Sequence, residues 1–209
     1  MNIQPEIEEI DIGKGGLSPF TAPDAYDPPK KDEVIPYEEM HPFLQKLVDE
    51  HKDYSQKLAK FEETLMIIES GTINREIDSY LREFFVNFDE EIAIHNRQEE
   101  KMLFPLISKK MNEEGSHSKG DKNFNVIDVL EDDHIKSIQL AAITFNMFAL
   151  FSRIPDEKSR LMILDVALTQ GKELIELLKL HIYREDTIIY TYAHNNFSHE
   201  ELTEIEKNS

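Results

Sequence analysis

The sequence predicts an all-α chain: an up-down-up-down four-helix bundle with an irregular, Pro-rich N-terminal arm. Apolar residues recur in alternating steps of three and four along four long stretches, the spacing of one helix face. Short runs rich in Gly, Ser, Pro and Asp separate those stretches, so consecutive helices turn back on each other. Prolines crowd the front of the chain, six of the nine falling before residue 38.

At 209 residues, with 40% hydrophobic and 31% charged residues, the chain is long enough for one soluble domain with a substantial core. The expected division is an arm over 1–40, the bundle over 41–194 and a polar tail over 195–209 that frays. In the arm, Pro5, Pro19, Pro23, Pro28, Pro29 and Pro36 oppose sustained helix. His41-Pro42 opens the first helix, with proline where a missing N–H does no harm and His41 as a neighbour of the cap. That helix runs to Glu69 with the seam Leu44, Leu47, His51, Tyr54, Leu58, Phe61 and Leu65, and Ser70-Gly71-Thr72 turns the chain.

The second helix is predicted over Ile73 to Met111, kinked by Pro105. Its seam is Ile77, Leu81, Phe84, Phe88, Ile92, His95, Glu99, Met102 and Leu106. Asn112 to Asn123 reads as a flexible connection. The third helix, Val126 to Ser152, carries Ile127, Leu130, His134, Ile138, Ala141, Phe145 and Phe148. After Ile154-Pro155-Asp156 the fourth helix spans Glu157 to Ala193, with Leu174, Leu178, His181, Glu185, Ile188 and Tyr192 on its seam and Gly171 marking a close contact or a bend.

Every seam contains a residue that does not belong in a core. His51, His95, Glu99, His134, His181 and Glu185 occupy apolar slots, where a lone carboxylate or imidazole costs several kcal/mol unless something pairs it. At about 1.5 Å per residue, His51 and His134 lie roughly 12 to 14 Å in from their helix starts. The other four lie roughly 12 to 24 Å back from their helix ends, so antiparallel packing brings all six to one layer. His95 with Glu99 and His181 with Glu185 each stand one helical turn apart and face the same way.

Two such pairs and two further histidines form the nitrogen and oxygen donor set of a two-metal centre, for which iron is the best match and manganese or zinc are alternatives. Asp186 rotates off the seam and is expected to be the wrong carboxylate. Tyr54 reads as core, Glu131-Asp132-Asp133 as solvated helix cap, and His117, His194 and His199 as surface.

The absence of cysteine excludes disulfides, thiolate sites and cysteine nucleophiles. A net charge of −19 opposes nucleic acid or an anionic membrane as partner. No apolar run is long enough to span a bilayer, and Met1 to Ile10 lacks a secretory pattern, so a cytoplasmic location is expected.

The segments Val48-Asp49-Glu50-His51, His95 to Glu100 followed by Leu103-Phe104-Pro105, Glu131-Asp132-Asp133-His134 and His181 to Glu185 resemble those of the hemerythrin-like family, or HHE cation-binding domains. The resemblance covers Pro42 to Ala193. It implies a non-haem di-iron centre, oxo- or hydroxo-bridged, with the four histidines as terminal ligands and Glu99 and Glu185 as bridges. The oxygen carriers have a further histidine one turn after His134, where this chain has Ile138. That departure points away from reversible O₂ carriage and toward sensing, iron storage or protection against oxidative and nitrosative stress, with O₂, nitric oxide or peroxide as the small ligand. Two alternatives accompany this reading: a di-iron oxidoreductase reducing peroxide or nitric oxide or oxidising iron, and a helical interaction module with a structural metal, its protein partner unknown.

Overall fold

In the computed structural model, residues 34–117 and 124–208 are described; most of the predicted arm and half of the predicted Asn112–Asn123 connection lie outside them. The described residues are helical, with no strand among them. A 3₁₀ turn, Tyr37–Glu39, leads into α1 (Pro42–Glu69). His41 is the cap itself: its Nδ1 accepts the Phe43 N–H at 3.2 Å. The turn after α1 passes through Gly71, whose φ of +93° is open to glycine and strained for other residues.

A second rod comprises α2 (Arg75–Asn87), α3 (Ala93–Gln98) and α4 (Phe104–Glu114), joined by π-helical turns at Phe88–Ile92 and Glu99–Leu103. Asn74 caps its start by accepting the Ile77 N–H, and Glu76 and Asp78 add negative charge to the first turn. Helix α5 (Val126–Phe151) begins with a capping box between Asn125 and Asp128. Helix α6 (Glu157–Arg184) starts from an Asp156 cap and continues through a π-helical turn, Glu185–Ile189, into α7 (Tyr190–Asn196).

The predicted fraying tail is instead α8 (His199–Asn208), which buries Leu202 and Ile205. Two apolar residues three apart supply enough of a stripe to dock one short helix. His41 helps hold it, with Nε2 3.3 Å from Thr203 Oγ1.

Two hydrophobic clusters fill the interior. One joins Leu44, Leu47, Leu103, Phe104, Leu130 and Tyr190 with the buried residues of α8; the other joins Leu58, Phe61, Leu65, Phe84, Leu174 and Leu178. Helices α1 and α5 run from the first cluster to the second, and the α2–α4 and α6–α7 rods run back. Each rod therefore crosses the layer between the clusters, where the six predicted polar residues lie.

Three stretches depart from the predicted seams. After Glu99 and after Glu185 a π-helical turn adds a residue to the winding, so the buried positions become Leu103, Phe104 and Ile107, and then Ile189, Tyr190 and Ala193. Leu106 is correspondingly exposed, and Met102, Ile188 and Tyr192 are only partly buried. Pro105 sits in the first turn of α4, directly beyond the first of these register shifts.

In α5, Ile138 and Phe145 turn outward, and Ser137 and Thr144 face the core in their place beside Ala141, which is buried as predicted. These small residues let α5 lie close against α6, opposite Gly171. A Cβ on Gly171 would stand 2.8 Å from Leu65 Cδ1 and 3.4 Å from Thr144 Cγ2, so the close-contact reading of this glycine holds. Gly171→Val should overpack that seam and lose about 1–3 kcal/mol of stability in urea denaturation; an unchanged midpoint would contradict the contact.

Candidate metal centre

His51 from α1, His95 from α3, His134 from α5 and His181 from α6 converge with Glu99 and Glu185, and all six are buried. The imidazoles meet in pairs. His51 Nε2 lies 2.9 Å from His95 Nε2, and His134 Nε2 lies 3.0 Å from His181 Nε2. Two nitrogens so close repel each other unless something positive sits between them.

Glu185 faces both pairs. Its Oε1 stands 3.1 Å from His181 Nε2 and 3.8 Å from His134 Nε2, while Oε2 stands 3.3 Å from His51 Nε2. Glu99 Oε2 is 3.5 Å from His95 Nε2 and 3.9 Å from His134 Nε2. Two donor groups result, each with its ligand atoms within 4.8 Å of one another: Glu99, His134, His181 and Glu185, and His51, His95 and Glu185.

The outward-facing nitrogens are held by a ring of carboxylates that sequence reasoning did not assign. His95 Nδ1 pairs with Glu50 at 2.7 Å, His134 Nδ1 with Glu100 at 2.8 Å, and His51 Nδ1 with Asp186 at 2.7 Å. His181 Nδ1 is 3.7 Å from Asp133, whose carboxylate accepts a 2.9 Å hydrogen bond from Arg184. Each carboxylate adjoins one of the six residues in sequence and faces a histidine on the next rod, three of them by a hydrogen bond and Asp133 at the longer distance, so the ring closes on itself.

Its trace in the sequence is an acid directly before His51 and His134 and directly after Glu99 and Glu185. Asp186 is thus neither idle nor a member of either donor group: it orients His51. Asp186→Ala should lower divalent-ion affinity by about 10- to 100-fold, the usual loss when a ligand's supporting partner is removed, as read by competition with a chromophoric chelator. Wild-type affinity would show that this contact does not matter.

Compared with known proteins, the chain matches no family model, no curated protein and no solved structure. Glu99 Oε2, both Glu185 oxygens and His181 Nδ1 are buried without a hydrogen-bond partner. Glu185 meets the His51 and His181 nitrogens at ion-pair distance but without a hydrogen bond, so its lost hydration is only partly replaced and the site has capacity for a further cation. Two imidazoles at right angles on one ion, about 2.1 Å from each nitrogen, would lie about 3.0 Å apart. The residues present therefore fit a metal ion, and the two groups sharing Glu185 offer two adjacent places.

Protons compete for those places. Burial pulls the His51 pKa down, but the Asp186 and Glu185 carboxylates outweigh it and push it up to about 10. His181 is likewise lowered by burial yet pushed up to about 9, chiefly by Glu185 and Asp133. His51 and His181 are therefore cations near neutral pH, and each can place its Nε2–H between the paired nitrogens. Burial also acts on both glutamates. It combines with repulsion from Glu185 to raise Glu99 to about 6, whereas the surrounding histidines overcome it and hold Glu185 well below the usual carboxylate range.

Tyr190 also enters the centre, brought inward by the π-helical turn before it. Its hydroxyl donates to Glu99 Oε1 at 2.7 Å, and its ring stacks on His51. Tyr54 is buried as predicted, with its ring edge-on to His95. It borders a small cavity of about 10 Å³ that reaches His51, His95 and His181 and is otherwise walled largely by Leu58, Ile92 and Leu178. Of the histidines predicted to be surface, His199 is exposed, whereas His117 and His194 are partly buried; none belongs to either donor group.

Proposed function

We propose that this chain is a hemerythrin-like four-helix bundle that holds two iron ions and binds O₂, nitric oxide or peroxide at them, as a sensor, iron store or stress-protection protein. The observation that carries this reading is Glu185, a buried carboxylate with no hydrogen bond to either oxygen, facing two pairs of imidazoles at once. His51, His95, His134 and His181 would be terminal ligands, Glu185 a bridge, and Glu99 the second carboxylate. Nitrogen and oxygen donors without thiolate suit iron, with manganese and zinc as competitors. Bound there, the iron pair supplies redox-active Lewis-acid positions for a small ligand.

The protein's own part is selection and support. The acidic ring fixes the imidazoles of His51, His95 and His134 by hydrogen bonds to Nδ1, so that each inner nitrogen faces the centre. The cavity beside His51 and His95 has room on the order of one water molecule, which restricts an entering ligand to that size. Leu58, Ile92, Leu178 and Ile182 supply its aliphatic walls, and Asn96 and Tyr54 are the polar side chains that border it beside the imidazoles. Among the described residues no helix is long and apolar enough to cross a membrane.

Metal analysis and visible spectra of protein purified without added metal test the proposal. About two irons per chain are expected, a count set by the two groups that share Glu185. Charge-transfer bands should respond to azide or nitric oxide. Metal-free protein that cannot be reconstituted with iron, manganese or zinc would overturn it.

A further inference from the structure

The donor set read from sequence is symmetric, with two imidazoles for each metal and both glutamates bridging between the metals. The structure is not symmetric, and Tyr190 is the reason. Both oxygens of Glu185 lack hydrogen-bond partners and face opposite pairs, so Glu185 serves both places equally. Glu99 has only Oε2 unpartnered, because Oε1 accepts the Tyr190 hydroxyl at 2.7 Å.

That charge-assisted bond is a strong one and holds the carboxylate to one orientation. The same hydroxyl lies 3.5 Å from His51 Nε2 and so stands between Glu99 and that imidazole. Glu99 Oε2 does come within 3.5 Å of His95, yet the group that converges with His51 contains only His95 and Glu185. The other group contains Glu99, His134, His181 and Glu185. A second observation falls on the same side: the small cavity is bordered by both imidazoles of the three-donor group but by only His181 of the other pair.

We propose that Tyr190, by holding one oxygen of Glu99, makes the two ion positions unequal: His134, His181, Glu99 and Glu185 form a tight one, and His51, His95 and Glu185 form a labile one that opens on the cavity. This rests on the two-ion reading of the centre and adds to it where exchange occurs. A first-row divalent ion enters and leaves at the labile position, and a small exogenous ligand takes the place there that Glu99 leaves empty. Tyr190 is a positioning residue in this scheme; it acts through Glu99.

The test is stepwise titration of the ion-free full-length protein with cobalt(II), whose visible spectrum reports coordination number, in wild type and Tyr190→Phe. The phenylalanine keeps the ring stacked on His51 and removes only the hydroxyl, so a merely structural role would leave the titration as it was. Wild type should bind in two steps separated by about 10-fold or more in affinity, the scale on which supporting contacts act. In Tyr190→Phe, Glu99 Oε1 is released to serve the second position and the two steps should merge.

His51→Ala should delete the weak step and His134→Ala the tight one. Equal affinities in wild type, or a split that survives in Tyr190→Phe, would overturn the inference while leaving a two-ion centre intact. Failure of the wild type to bind cobalt at all would reject the two-ion reading and this inference with it.

Discussion

Glu185→Gln is expected to empty the centre. The substitution preserves shape and volume but replaces a carboxylate that turns a separate, unpartnered oxygen to each imidazole pair, 3.1 Å from His181 on one side and 3.3 Å from His51 on the other. A neutral amide donates through nitrogen, so it cannot present an acceptor to both places, and it cancels neither ion's charge. Ion content should fall from about two per chain to below one, with affinity down by more than the roughly 100-fold that loss of a supporting partner produces.

Glu99→Gln should be milder, since one of its oxygens is already committed to Tyr190. The ion-free Glu185→Gln protein should also lose stability near neutral pH, because the His51 and His181 cations lose the carboxylate that offsets their burial. Equilibrium dialysis with metal analysis, beside chemical denaturation, measures both effects. Two ions retained at wild-type affinity would show that Glu185 is not the shared donor.

Ion loading should release protons, with a pH dependence whose sign follows from the site. His51 rises to about 10 and His181 to about 9 in the folded chain, against an ordinary value of 6.5. Their contribution to the ion-free fold is therefore complete below pH 6.5, declines above it, and is gone once pH passes their folded values. Glu99, raised to about 6, lowers stability as pH rises from its ordinary 4.5 through that value. Glu185, held below its ordinary value, contributes above pH 4.5 and is lost as pH falls through its folded value.

The ion-free protein should thus weaken from about pH 6.5 toward pH 10 while its affinity for divalent ions climbs. At pH 7.5 each ion must displace one imidazolium proton, so loading should release about two protons per chain. Affinity should change about 10-fold per pH unit for each ion. Calorimetry in buffers of different ionisation enthalpy counts those protons, and a count near zero would exclude the shared-proton arrangement of the histidine pairs.

How much of this was legible depended on how regular each helix is. Along α1 the seam keeps its helical spacing through His51, and every seam residue from Leu44 to Leu65 is buried as expected. In α5 apolar residues occur on more than one side, so periodicity favoured Ile138 and Phe145 where close packing on α6 requires the smaller Ser137 and Thr144. Those hydroxyls are satisfied locally, Ser137 on the His134 carbonyl and Thr144 on the Leu140 carbonyl, and so they can enter the core without a partner helix supplying a bond. In α8 two buried residues carry the whole hydrophobic stripe, too faint a repeat to distinguish from a polar tail.

His51, His95, Glu99, His134, His181 and Glu185 could be picked out from the order of residues alone, because a polar side chain at a core slot is an anomaly that needs no coordinates to notice. Their common depth followed as well, since helix rise per residue is nearly constant. Tertiary structure decided what surrounds them: the π-helical turns that bring Tyr190 inward, the carboxylates that close a ring between successive rods, and the unequal sharing of Glu99 and Glu185. Periodicity reports which face of one helix is buried, and it carries no information on winding changed by packing or on which side chain a neighbouring helix sets opposite.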